Sequence, residues 1–178
     1  MKHSPTKKIV FLDRDGVINK KAADHHYITS WKDFIFNEGI FNICNFLKGQ
    51  GFEFIVITNQ RGVARQLVSQ EILEDIHEQM VTEFEKRDIK ILDVFYCPHD
   101  YGECTCRKPF PGMLEKATEK YSINKELSIL ISDSHEDITM GQDFGVGENI
   151  FVHSDKPEEA FSFIKKIKIA FVKYGGLT

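Results

Sequence analysis

The chain is short of the features that mark membrane, secreted, fibrous or nucleic-acid-binding proteins. Apolar runs such as "FIVI" at 54–57 are far too short to cross a bilayer. The opening "MKHSPTKK" lacks the apolar core of a secretory signal, so an intracellular, cytoplasmic protein without a membrane partner is expected. Repeats, low-complexity tracts and a composition break that would mark a linker are also missing, which points to one domain over 1–178. Positive charge is in deficit: 23 Lys and Arg against 27 Asp and Glu leave a net charge of -4. That balance excludes the broad basic face of a general nucleic-acid binder. Cysteine is scarce as well, with four residues in all. In a reducing compartment these are thiols or metal ligands before they are a disulfide framework. Cys44 sits inside an apolar helical pattern and reads as core, whereas Cys97, Cys104 and Cys106 crowd together beside His99.

What remains is an ordinary globular composition, 42% hydrophobic and 28% charged. A chain of this length buries roughly 70% of the surface its unfolded form exposes, so it needs no external staple. Strand-like runs rich in Ile, Val and Phe occur at 8–13, 52–58, 91–96, 127–132 and 149–152. Helical patterns fall between them. Ile40, Ile43, Cys44 and Leu47 recur at helical spacing and stop at "KGQG". Ser69 is placed to cap a helix whose buried stripe is Ile72, Ile76, Met80 and Phe84. A further helix opens at Pro111 and carries Met113, Leu114, Ala117 and Tyr121, and a last one runs from Pro157 to Lys173, ended by Gly175 and Gly176. The alternation predicts an α/β fold: a Rossmann-like parallel sheet with helices on both faces.

In such folds ligands bind beyond the carboxyl ends of the strands. Asp13 and Thr58 end two predicted strands, Asp15 follows the first, and Asp133 follows the fourth, so all four converge on one rim. Two carboxylates separated by one residue repel unless a cation relieves them. Asp13 and Asp15, with Asp133 as a third ligand, therefore suggest a hard divalent metal held by oxygen; the alternative is an Asx-capped turn. Thr58 and the amides after it can meet an anion, or simply open a turn. Arg61 and Arg65 nearby favour phosphate. Lys108 offers a point charge and Arg107 a planar fork, both pinned between prolines and the cysteine cluster.

The cluster has the form Cys-x-His-x4-Cys-x-Cys: Cys97, His99, Cys104 and Cys106. Three thiolates and an imidazole complete a tetrahedral zinc shell with no open position, the composition of a structural site. A disulfide among the three cysteines, or unligated thiols, is the competing reading.

The ordered set "DRDGV", strand-ending Thr58, Lys108 and "SDSHED" resembles the four motifs of the haloacid dehalogenase superfamily of phosphohydrolases. Within it, "DRDGVIN", "TNQRGVAR", "CPH", "CTCRKP" and "PFPGM" resemble the heptose 1,7-bisphosphate phosphatases, with histidinol-phosphate phosphatases as relatives that share the zinc loop. The resemblance implies a magnesium-dependent phosphatase acting on a small phosphorylated metabolite through an aspartyl phosphate. It implies Asp13 as nucleophile and Asp15 as acid and base. Magnesium would lie on Asp13, the Asp15 carbonyl and Asp133, with the phosphoryl group on Thr58 and Lys108. Arg107, Asn59, Gln60, Arg61 and Ser134 are the implied substrate-binding residues. It further implies a monomer in carbohydrate metabolism, supplying lipopolysaccharide precursors. The loop "KKAADHHYI" at 20–28 stands where larger relatives insert a cap and is too short to be one, so a capless form is expected. Departures from the pattern are Ser132 for a usual glycine, Ser134 for a frequent lysine and Val17 for a threonine. Only four residues separate His99 from Cys104, a spacing closer to the histidinol-phosphate enzymes.

Two readings from other classes are weaker. A phosphate-accepting receiver domain carries its aspartate on the third strand, where this chain has Cys97. A zinc-containing nucleic-acid module needs a basic, aromatic-studded face that the composition does not provide.

Overall fold

A computed structural model describes residues 6–23 and 26–154. Five strands, β1 (Lys8–Leu12), β2 (Phe52–Asn59), β3 (Ile91–Cys97), β4 (Ile129–Ser132) and β5 (Glu148–Phe151), form one all-parallel sheet in the order β3-β2-β1-β4-β5. The helix expected at 157–173 lies outside the described residues.

Alternate residues of the central strands feed two cores. Val10, Leu12, Phe54 and Val56 point to one face and pack under α1 (Ile40–Gly49) and α2 (Gln70–Glu85). Ile9, Phe11, Ile55 and Ile57 point to the other, under α3 (Gly112–Lys120) and α4 (His135–Phe144). Burial on both faces explains why β1 and β2 read as unbroken apolar runs. β3 and β5 are edges and only half buried.

Ser69 caps α2 as predicted, accepting from the Ile72 amide. The buried stripe differs by one residue. Ile72 is exposed, and Leu73, Ile76, Met80 and Phe84 face the sheet, each contributing roughly 1.5–3 kcal/mol by its burial. His77 occupies the same face. The sequence pattern gave no sign of α4, which is short and largely polar; Ser134 caps it and Gly145 ends it in a left-handed turn.

The sheet order changes direction around β1, with β2 on one side and β4 on the other. That switch point leaves a crevice above β1 and β4, where Asp13 and Asp133 emerge. The described part of the 20–28 loop forms no helix or strand, and no cap is inserted there. Gly16 turns the chain out of β1 at φ +92°, and a Cβ at this position would overlap the Asp133 carboxylate. Gly16→Ala is therefore expected to cost about 1–3 kcal/mol through backbone strain alone. Thermal melting followed by circular dichroism checks this, and an unchanged midpoint would contradict it.

Candidate active site

Nine of the residues singled out in the sequence line one cleft of about 270 Å³ above the sheet switch point: Asp13, Asp15, Thr58, Asn59, Cys104, Arg107, Lys108, Asp133 and Ser134. Lys21, Glu136 and Asp137 join them, with Tyr101 and Phe110 at the mouth. Gln60 and Arg61 do not line the cleft.

The floor is organised around the Lys108 ammonium. Its Nζ lies 3.0 Å from Asp13 Oδ1 and 2.6 Å from Asp137 Oδ2, and donates to the Ile57 carbonyl at 3.3 Å. Burial alone would lower the lysine, but Asp13 and Asp137 outweigh it and hold it above its ordinary value. Asn59 grips the Lys108 backbone in both directions, donating to its carbonyl and accepting from its amide at 3.0 Å each. Ser132, in place of the usual glycine, uses its hydroxyl between Asp137 Oδ2 (2.7 Å) and Asp13 Oδ2 (3.2 Å) and accepts from the Ser134 amide.

Burial pushes the Asp13 carboxyl up to about 6, with Lys108 pulling it down and Asp137 and Asp133 adding to the rise. Asp15 behaves in the opposite way. Burial would raise it, yet Arg14, Asn19 and Gln60 together hold it below its ordinary value. Arg14 forks onto Asp15 (Nη2 to Oδ1 and Oδ2, 3.0 and 2.9 Å), Asn19 donates to Oδ1 at 2.9 Å and Gln60 to Oδ2 at 2.9 Å. Gln60 also donates to Thr58 Oγ1 at 2.8 Å. Its amide nitrogen thus serves the floor of the site.

The donor set suits a hard cation. Asp13 and Asp133 are buried carboxylates on neighbouring strand ends, and part of the rise at Asp13 comes from Asp133. Gly16 leaves just enough room for the Asp133 side chain. The Lys21 ammonium sits 2.5 Å from Asp133 Oδ2, so a positive charge is already drawn to this point. Oxygen ligands and uncompensated negative charge fit magnesium.

The cysteine cluster closes on itself beside the cleft. Sγ–Sγ distances among Cys97, Cys104 and Cys106 are 3.3–3.5 Å, and His99 Nδ1 lies 3.5 and 3.4 Å from Cys97 and Cys106. A tetrahedral ion with metal–sulfur bonds of about 2.3 Å sets sulfurs about 3.8 Å apart, so the side chains are grouped at nearly ligand spacing. All four cysteines are free, and no disulfide ties the loop. Burial pushes the Cys97 thiol up to about 12, and a bound cation would favour its thiolate. Gly112 at the start of α3 packs against the loop; a Cβ there would come within 2.6 Å of the Thr105 carbonyl and 2.8 Å of Cys106 Cα. The clip therefore fixes where Arg107 and Lys108 leave it.

At the mouth, the exposed Tyr101 ring lies between two guanidinium groups, Arg107 at 4.4 Å and Arg61 at 4.6 Å from its centroid. Arg61 also reaches Tyr27 and Asp100, and Arg65 reaches Asp100. Ser134 caps α4 through a bond from the Asp137 amide, while remaining on the cleft wall. Sequence reasoning missed Asp137, Arg14, His77 and Lys21 as parts of the site. Asp137 stood in the quoted "SDSHED" and could have been found as the helical neighbour of Ser134.

The polynucleotide kinase 3 phosphatase family model matches residues 8–172. The D-glycero-alpha-D-manno-heptose-1,7-bisphosphate 7-phosphatase of Campylobacter jejuni is 38% identical over 154 residues, which cover 86% of this chain and 87% of that protein. The D-glycero-beta-D-manno-heptose-1,7-bisphosphate 7-phosphatase of Vibrio cholerae is 37% identical over 159 residues, 85% of this chain and 84% of that protein. Among solved structures, the D,D-heptose 1,7-bisphosphate phosphatase of B. bronchiseptica, complexed with magnesium and phosphate, superposes with a TM-score of 0.73. It is 28% identical and covers 79% of this chain and 78% of that one. Fold, motif order and these relatives agree: the chain belongs to the haloacid dehalogenase phosphatases, in the group of the heptose 1,7-bisphosphate 7-phosphatases.

Proposed function

We propose that this protein hydrolyses the C7 phosphate of D-glycero-D-manno-heptose 1,7-bisphosphate through an aspartyl phosphate on Asp13. The observation that carries the reading is the convergence of Asp13, Asp15, Thr58, Lys108 and Asp133 on one cleft, in a chain whose curated relatives bear that activity in their names. The proposal includes a single catalytic domain over 1–178 acting as a cytoplasmic monomer, without nucleic-acid or membrane partners.

In the first step an Asp13 oxygen forms a bond to phosphorus as the bond from phosphorus to the sugar oxygen breaks. The Arg14 backbone amide donates to Asp13 Oδ1 at 2.8 Å and holds the carboxylate facing the cleft. Asp15, once it has taken up a proton from solvent, delivers it to the departing sugar oxygen, and then takes a proton from the water whose oxygen bonds to phosphorus as the bond from phosphorus to Asp13 breaks and phosphate leaves. In the arrangement described here Asp15 is held as the carboxylate, the state required for the second step. Thr58 and Lys108 hold the phosphoryl oxygens, so that orientation and charge neutralisation supply most of the rate. Asn59 serves by fixing Lys108, and Arg107 meets the remainder of the substrate. Asp13, Asp133 and the Asp15 carbonyl would hold magnesium, which neutralises phosphoryl charge as a Lewis acid. Cys97, His99, Cys104 and Cys106 would hold a structural zinc.

Asp13→Asn is expected to abolish phosphate release in the presence of magnesium while the circular dichroism spectrum and zinc content stay those of the parent. Turnover near the parent rate would remove Asp13 as nucleophile. Side by side, kcat/KM is expected to be highest on one anomer of heptose 1,7-bisphosphate and at least about tenfold lower on histidinol phosphate. The reverse ratio would overturn the substrate while leaving the chemistry in place. Cys104→Ser is expected to lower zinc content and the melting temperature, with activity falling as Arg107 and Lys108 lose their placement. Full zinc stoichiometry in that variant, measured by metal analysis, would exclude Cys104 as a ligand.

A further inference from the structure

Between the two proposed catalytic carboxylates lies a residue with a second occupation. Arg14 is 1% exposed, and its side chain does not enter the cleft. Its guanidinium runs beneath the β1 turn, with Nε and Nη2 on Asp15 and Nη1 3.0 Å from His77 Nε2 on α2. Its plane also lies 5.9 Å from the Phe34 ring. A buried guanidinium is costly unless its donors are used, and here the partners are one carboxylate and one imidazole.

Arginine has only donors, so the facing nitrogen of His77 must be the acceptor and the ring carries its proton on Nδ1. Burial, followed by the charge of Arg14, lowers the His77 imidazole to about 3, in agreement with a permanently neutral ring. The imidazole is itself braced. It packs tilted against Tyr96 at 5.5 Å, and the Tyr96 hydroxyl donates to Glu74, one turn earlier on α2, at 2.8 Å. A continuous series of contacts thus runs from the α2–β3 groove through the protein to Asp15.

We infer that Arg14 and His77 form a positioning strut for Asp15: the imidazole anchors one end of the guanidinium, and the fork at the other end sets the plane in which the Asp15 carboxylate meets the reacting oxygen. Neither residue touches the substrate. Removing the His77 acceptor frees one end of the fork and lets the carboxylate turn, so proton delivery suffers while substrate and metal binding do not. The inference rests on Asp15 being the acid and base of the proposed reaction.

A double-mutant cycle on heptose 1,7-bisphosphate tests the strut, with residual rates read by single-turnover phosphate release at high enzyme concentration. His77→Leu is expected to lower kcat about tenfold, with KM and the half-saturating magnesium concentration within about twofold of the parent. In the Asp15→Asn background the same substitution is expected to have no further effect. His77→Gln, which restores an acceptor, is expected to recover most of the loss. An equal loss in both backgrounds, or a loss confined to KM, overturns the strut. Full activity of Asp15→Asn by itself would instead sink the acid–base assignment. Should His77→Leu not fold, nitrogen-15 spectra of histidine-labelled parent protein decide: the Nδ1–H tautomer with an accepting Nε2 is expected, and a proton on Nε2 overturns the inference.

Discussion

The structure turns on one buried positive charge. The carboxyl ends of β1 and β4 and the first turn of α4 bring the Asp13, Asp133 and Asp137 side chains into a space largely closed to water, and among the protein's groups there it is the Lys108 ammonium that bridges Asp13 and Asp137. Removing one member of such a set would leave its partners charged and desolvated, at a cost of about 3–5 kcal/mol. The arrangement is also incomplete, since among the described residues Asp133 is matched by Lys21 from a surface loop and Asp13 is still pushed upward by burial and, to a lesser degree, by its acidic neighbours. Residual negative charge in a preformed oxygen cluster would favour a divalent cation there, and Lys108 a phosphoryl group. The fold therefore stores an electrostatic imbalance at the place where the reaction needs it.

Placing Lys108 is what the cysteine loop accomplishes. Cys106 and Lys108 are two residues apart, so a loop closed on Cys97 at the end of β3 leaves the lysine little freedom. Asn59 at the end of β2 then takes both backbone groups of Lys108. Gly112 lets α3 press directly against the loop backbone. The cysteine loop and the cleft are consequently one mechanical unit, although no cysteine enters the proposed chemistry.

Among the described residues, sequence patterns located the five strands to within about two residues and three of the four α-helices, because buried parallel strands and amphipathic helices leave strong apolar periodicities. The motif residues at strand ends were legible for the same reason: position after an apolar run is visible in one dimension. The phase of α2 was harder to read, since Ile72 and Leu73 are both apolar and only packing distinguishes them. α4 was invisible because its capping and polar contacts, not an apolar stripe, define it. The supporting contacts escaped notice because their meaning is long-range. Arg14 meets His77 across 63 positions, and Ser132 meets Asp13 across 119. In the sequence each is an ordinary polar residue, and only the fold gives it a partner. Gln60 was legible by its motif position, but its bonds to Asp15 and Thr58 were not.

The central claim is that the carboxylate next to the buried lysine, and not its neighbour two residues on, becomes phosphorylated. Quenching the enzyme during turnover and reducing with borohydride converts an acyl phosphate to an alcohol, which peptide mass spectrometry can assign to a residue. Homoserine at position 13 with Asp15 unchanged is the expected result. Modification at Asp15, or no modification under conditions of steady phosphate release, would contradict it.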